Sequence, residues 1–300
     1  MPTKSNEQLK GVIPAIITPM NQTGKIDYGL LEKQAAYLSE GGVHGFFVGG
    51  TTAEGAYLST DEKGEVFKVV RGVSEGKQFL CAAYIQPSTA AVLEQMRALE
   101  ASEPDYVVAV TPYYLSMRQE DILEHFRQIA AAAPAPLIVY NIPGNTHNPI
   151  ALETVLELAE EKNIAGIKDS TGNFIGFSRG VLGSGPAGFV WIQGEDYLDG
   201  PSLMIGCDGI VTGLGNARIE PYVQIYRAAR EGDWQTVREC QSRINELYGI
   251  IRLCGNPIAA AKAATELAGR GSRWMRQKTQ SLTGEQMKEA AKILQAFDRG

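Results

Sequence analysis

Eight short apolar runs punctuate this chain of 300 residues, and their order narrows its fold more than any other feature. They are 11–19 (GVIPAIITP), 42–50 (GVHGFFVGG), 78–85 (QFLCAAYI), 105–112 (DYVVAVTP), 136–143 (PLIVYNIP), 164–170 (IAGIKDS), 188–196 (GFVWIQGED) and 209–216 (GIVTGLGN). Amphipathic segments separate them, among them 28–40, 60–75, 89–101, 119–133 and 152–162, with apolar positions at three- and four-residue intervals. Short β-rich runs alternating with helical segments are the pattern of βαβ units. Near-continuous apolar strands imply burial on both faces, as in a parallel sheet covered by helices. Eight such units predict a (β/α)8 barrel; counting repeats does not show closure, so an open doubly wound sheet stays the alternative. Beyond the eighth run, from about Arg218 to Asp298, the pattern is helical only. The expected organisation is a barrel over 1–232 and a C-terminal helical extension of the same domain over 233–300, since no low-complexity linker intervenes.

Bulk properties exclude several classes. A net charge of −6 and a pI near 5.3 argue against a nucleic-acid partner, which calls for a basic face. The N-terminal MPTKSNEQLK has no apolar core of a signal peptide, and no stretch of 18 uninterrupted apolar residues occurs. No two of Cys81, Cys207, Cys240 and Cys254 have C-x-x-C spacing, and Cys81 and Cys207 lie in apolar runs, where a thiol acts as a small core hydrophobe. A reduced, cytoplasmic protein without membrane contact is the expectation.

In a barrel of this kind, chemistry sits at the C-terminal ends of the strands. Lys168 ends the sixth run after Ile164-Ala165-Gly166-Ile167. Burial disfavours the ammonium form of an amine and favours the free base that attacks a carbonyl. A strand-end lysine also has a plain structural reading, its head group reaching water. Tyr140 ends the fifth run, next to the sixth in a barrel, and its phenol is a candidate proton relay at an imine; a core tyrosine is the bland alternative. The turn Gly49-Gly50-Thr51-Thr52 presents successive backbone N–H groups and two hydroxyls, a concavity suited to a carboxylate.

Together with their neighbours these residues carry a resemblance. G-T-T-A-E (50–54), T-P-Y-Y (111–114), Y-N-I-P (140–143), G-I-K-D (166–169) and G-E-D (194–196) fall at strand ends in one order. In them the chain resembles the dihydrodipicolinate synthase / N-acetylneuraminate lyase family, from Gly11 to the C-terminal helices. The resemblance implies a pyruvate-dependent class I aldolase, a lyase that needs no metal or organic cofactor. Lys168 then matches the Schiff-base lysine and Tyr140 the tyrosine that moves protons at the imine. Thr51 matches the hydroxyl linking that tyrosine to a third relay member, Tyr114, supplied by a neighbouring subunit; a homodimer or homotetramer follows. Thr52 and Gly50 match the turn that holds the pyruvate carboxylate, and Val211 the position whose carbonyl faces the lysine.

Three departures bear on the second substrate. Synthases of the family carry an arginine two residues beyond the proline of Y-N-I-P, whose fork binds the carboxylate of aspartate semialdehyde. Asn145 stands there, and an amide offers no charged clamp. Asp169 follows the lysine where glutamate is usual, and Ala53 replaces a glycine. These changes favour a partner recognised through hydroxyls, such as a 2-oxo-3-deoxy sugar acid or 4-hydroxy-2-oxoglutarate. Ser170, Thr212, Glu195 and Asp196 are candidates to contact those hydroxyls. The lysine-pathway synthase, 4-hydroxy-tetrahydrodipicolinate synthase, and a 2-oxo-3-deoxy acid dehydratase are the alternatives within the family.

Other classes fit less well. Residues 183–188 read G-x-G-x-x-G, but the motif precedes a strand instead of joining a strand to a helix, and Pro186 interrupts it. A metal-dependent aldolase would have to draw on His44, His125 and His147, which form no H-x-H or carboxylate cluster. A non-catalytic ligand-binding barrel has no use for a lysine–tyrosine–threonine set.

Overall fold

Each apolar run contributes one strand to the computed structural model, which describes residues 8–183 and 185–299. The strands are β1 (Gly11–Pro14), β2 (Gly45–Val48), β3 (Phe79–Tyr84), β4 (Tyr106–Val110), β5 (Leu137–Asn141), β6 (Ile164–Asp169), β7 (Val190–Gln193) and β8 (Gly209–Thr212). From β2 to β8 each strand pairs in parallel with its sequence neighbours, and β8 pairs in parallel with β1. The remaining seam closes through His44 N–H to the Val12 carbonyl at 3.0 Å and Ile16 N–H to the Phe47 carbonyl at 3.1 Å. The sheet is therefore a closed (β/α)8 barrel.

Helices α1 (Tyr28–Glu40), α2 (Thr60–Ser74), α3 (Thr89–Ala98), α4 (Gln119–Ala132), α5 (Pro143–Thr146), α6 (Leu152–Ala159), α7 (Phe174–Val181), α8 (Asp199–Met204) and α9 (Glu220–Glu231) lie between and after the strands. The extension consists of α10 (Trp234–Cys254), α11 (Pro257–Leu267) and α12 (Gly284–Phe297). Local chemistry sets the helix starts. Asp27 accepts the Leu30 N–H at the head of α1, and Ser59 and Glu62 form a reciprocal capping box at α2. The position 232/233 falls between α9 and α10, at Gly232 with φ of 76°. Gly183 and Gly185–Gly188 lie between α7 and β7, and Ser184 of that glycine-rich motif is outside the described residues.

Strand pleating sorts the core into two layers. Inward-facing Ile13, Phe47, Cys81, Val108, Ile138, Tyr140, Ile192 and Val211 fill the barrel. Outward-facing residues such as Val48, Val107, Val139, Ile167 and Ile210 pack under the helices. The extension is pinned to the barrel rim: the Arg270 guanidinium donates to the carbonyls of Asn216 and Ala217 at 3.2 and 3.0 Å. Arg218 forms a two-pronged pair with Asp298, at 2.7 and 2.6 Å. No helix among the described residues is long and apolar enough to cross a membrane.

Candidate active site

Lys168 and Tyr140 lie opposite each other in the β5–β6 register, so both side chains enter the barrel on the same level. Lys168 is 4% exposed. Its Nζ stands 4.0 Å from the centre of the Tyr140 ring and 4.1 Å from that of Phe47. The two rings meet edge to face, 5.6 Å apart at 80°, and form a corner around the amine. Ring faces attract a cation, so this corner suits both an ammonium and the iminium that would replace it. The amine lies over the Tyr140 ring face rather than against its phenol oxygen. A proton passing between them therefore needs a bridging oxygen, which a carbinolamine hydroxyl would supply.

Room for the lysine comes from the residue just past β7. A Cβ on Gly194 would fall 2.9 Å from Lys168 Cε, 2.2 Å from Ser170 Oγ and 3.0 Å from the Asp169 carbonyl oxygen. No side chain fits there without moving the Lys168 side chain. Gln193 holds the turn beyond, its Oε1 accepting the N–H groups of Gly194 at 3.0 Å and Glu195 at 2.9 Å.

The turn after β2 is tightly closed: Gly55 N–H donates to the Gly50 carbonyl and Glu54 N–H to that of Thr51, each at 2.9 Å. A Cβ on Gly55 would lie 1.7 Å from the Gly49 carbonyl oxygen, so only glycine allows this closure. Thr52 reaches towards the end of β8, its Oγ1 lying 3.3 Å from where a Gly213 Cβ would stand. Glu54 adopts a left-handed φ of 57°, and its carboxylate is buried against Lys262 of α11 and the backbone N–H of Arg276.

Above this layer opens a cavity of about 650 Å³. Thr51, Val110, Tyr113, Ile142 and Asn145 line it from the barrel, and Asn256 and Ile258 from the extension. Val110 sits opposite Tyr140 in the β4–β5 register, which ties the cavity to the lysine layer. The size suits a small organic ligand. Burial pushes the Tyr113 phenol up, so it is a neutral donor at pH 7.

The other sequence-predicted residues divide into two groups. Val211 faces inward in β8 with Lys168, and Ser170 flanks the lysine strand with its hydroxyl donating to the Gly194 carbonyl at 3.2 Å. Thr212 and Asp196 are turned away, which corrects the expectation that they face the substrate. The pleat that points Val211 inward points Thr212 outward, where its hydroxyl accepts the Gly215 N–H at 2.8 Å. Asp196 receives the Tyr222 hydroxyl of α9 at 3.2 Å, and burial pushes its carboxyl up to about 7. Glu195 is engaged by the Tyr248 hydroxyl of α10. Tyr114 stands clear of its own chain's lysine, 92% exposed with a left-handed φ of 82°. Asp169 faces outward, accepting from Thr171 and Asn141, and burial pushes its carboxyl up against those bonds.

Phe47 and Lys262 were not singled out from the sequence, and Gly194 only as the first residue of G-E-D, with no role given to it. Phe47 is one of many apolar strand residues, and Lys262 lies 208 positions from its partner. Gly194 carried a signal, as a glycine just past the end of the strand adjacent to that of the lysine.

The geometry can be set beside known proteins. Residues 8–297 match the model of the dihydrodipicolinate synthetase family. The chain is 35% identical over 263 residues to 4-hydroxy-tetrahydrodipicolinate synthase of Neisseria meningitidis serogroup B, covering 87% of this chain and 89% of that protein. It is 35% identical over 263 residues to the protein of that name from Methanosarcina barkeri, covering 88% and 89%. Dihydrodipicolinate synthase of Aquifex aeolicus superposes with a TM-score of 0.89 at 27% identity, over 96% of this chain and 98% of that one. Barrel, strand-end motifs and relatives agree, and the chain belongs to the dihydrodipicolinate synthetase family.

Proposed function

We propose that this chain is a class I lyase that joins pyruvate to an aldehyde, or releases it, through an imine on Lys168. The observation that carries the reading is the buried lysine amine held between the ring faces of Tyr140 and Phe47, below a cavity of ligand size. The amine attacks C2 of pyruvate, giving a carbinolamine; protonation of its hydroxyl and loss of water leave the iminium. Loss of a C3 proton gives the enamine, whose C3 adds to the aldehyde carbon. Hydrolysis of the resulting iminium returns the lysine and the 2-oxo acid product. Tyr140 shuttles the protons, and the iminium is itself the electron sink. Thr51, Thr52 and Gly50 hold the pyruvate carboxylate through the turn after β2. Exposed Tyr114, strained on its loop, supports a dimer in which it completes the relay of a neighbouring subunit.

The relatives' activity makes aspartate semialdehyde the first partner to assay. One observation favours a neutral, hydroxylated partner instead. Asn145 lines the cavity, and the only charged residue lining it among the described residues, Glu54, is already paired with Lys262. No cation there offers a second carboxylate a two-pronged clamp. Borohydride reduction with pyruvate, followed by peptide mapping, tests the core of the reading: an adduct is expected on Lys168, and its absence from folded protein in excess pyruvate refutes it. Progress curves with aspartate semialdehyde and with 2-oxo-3-deoxy sugar acids then separate the two partners.

A further inference from the structure

We infer that the buried Glu54–Lys262 pair makes the C-terminal extension a positioning element for the pyruvate-binding turn. The inference rests on the reading that this turn holds the substrate carboxylate. Glu54 is 3% exposed and Lys262 fully buried, whereas the other carboxylate–cation pairs among the described residues are at least partly solvated. The two lie 208 positions apart, Glu54 two residues after Thr52 and Lys262 in the middle of α11.

Glu54 is held from three directions. Its N–H donates to the Thr51 carbonyl at 2.9 Å, so its backbone is part of the turn itself. One carboxylate oxygen receives the Lys262 ammonium, and the other receives the Arg276 N–H at 2.9 Å. The Arg276 guanidinium in turn donates to both Glu62 oxygens, at 2.8 and 2.9 Å, and Glu62 accepts the Ser59 N–H where α2 begins. The turn is thus gripped at its far side and again just downstream, both times by residues of the extension. A left-handed glutamate is an unfavourable conformation that persists only where surroundings impose it. The carboxylate bonds impose it here, and with it the direction in which Thr51 and Thr52 present their N–H and hydroxyl groups. A bare stability role would not require the pair to be anchored on the residue that closes the turn.

Two positioning variants test this. Lys262→Met removes the cation at similar length, and Glu54→Gln combined with Lys262→Met removes both charges, leaving no lone buried carboxylate. With the turn released, KM for pyruvate is expected to rise about tenfold or more in both, since displacements near 1 Å at a site cost up to about 10²-fold. At saturating pyruvate both variants still yield the reduced adduct on Lys168. Restoration of both thermal stability and pyruvate KM in the double variant overturns the inference and leaves the pair structural. An unchanged KM in either folded variant overturns it too. If the parent protein gives no adduct on Lys168, the pyruvate reading fails first and the inference falls with it.

Discussion

Replacing Gly194 by alanine adds one methyl group beside Lys168, the proposed nucleophile, and its effect follows from the distances around it. The new Cβ would lie 2.9 Å from Lys168 Cε, against an optimal carbon–carbon separation of about 3.5–4.0 Å. The lysine must therefore retreat by about 0.6–1.1 Å. The Ser170 hydroxyl, 2.2 Å from the added atom, rotates away and gives up its bond to the Gly194 carbonyl. That bond is worth about 1 kcal/mol. Gly194 is not among the residues with positive φ, so alanine is tolerated by the backbone and recovers about 0.4–1 kcal/mol by restricting the unfolded chain. The two terms offset each other, and the melting temperature should shift by only a few degrees. Catalysis has no such compensation. Moving the amine off the corner formed by Phe47 and Tyr140 should slow imine formation about 10- to 100-fold, equivalent to about 1.4–2.7 kcal/mol of barrier. Rapid mixing with pyruvate and quenching into borohydride measures that rate directly, with thermal melts run in parallel. An imine rate within twofold of the parent protein would refute the steric argument. So would a loss of rate that merely tracks a collapse in melting temperature.

Three further expectations follow from the same reasoning. Phe47→Leu keeps an apolar side chain but removes one ring face from the cation; imine formation should fall about 3- to 30-fold, matching about 0.5–2 kcal/mol, read by the same quench assay. His125 is buried between the Val110 carbonyl and the Thr89 hydroxyl, and burial pushes its pKa down to about 4. The unfolded chain protonates it near pH 6.5 and the folded chain does not, so it contributes stability above pH 6.5 that is lost as pH falls towards 4. His125→Gln should remove about 3 kcal/mol of that loss, seen as a flatter urea-unfolding free energy between pH 6.5 and 4; identical slopes would sink the assignment. Asp199 is fully buried with neither oxygen hydrogen-bonded among the described residues, and burial beside Asp196 and Glu195 pushes its carboxyl well up. Folding therefore favours its protonated form, a cost that grows as pH rises above its unfolded value, so Asp199→Asn should raise the melting temperature more at pH 8 than at pH 5.

How much of this was readable beforehand depends on the range of each interaction. Strand and helix identities were legible because burial on two faces and helical periodicity leave their marks on adjacent residues, and each of the eight runs holds a strand. That Lys168 and Tyr140 lie side by side was legible because both stand near the ends of strands that are neighbours in any such barrel. Asp196 and Thr212 were misplaced for a physical reason. Position at a strand end says that a residue is near the mouth, and only the pleat and the partner helix decide which way it faces. Val211 and Thr212 are adjacent in sequence and lie on opposite sides of the barrel wall.

The sequence by itself determined the repeating units, their order, the lysine and tyrosine near neighbouring strand ends and the strand-end motifs that place the chain in its family, all of which are local in the chain. Tertiary structure decided what no local pattern encodes. It closed the sheet, set Phe47 over the Lys168 amine from four strands away, and joined Glu54 to Lys262 across 208 residues. Those contacts arise from the curvature of a closed barrel and from the way its helical extension folds back over the rim. Neither is written in the spacing of apolar residues, because the distances that matter are measured through space and not along the chain.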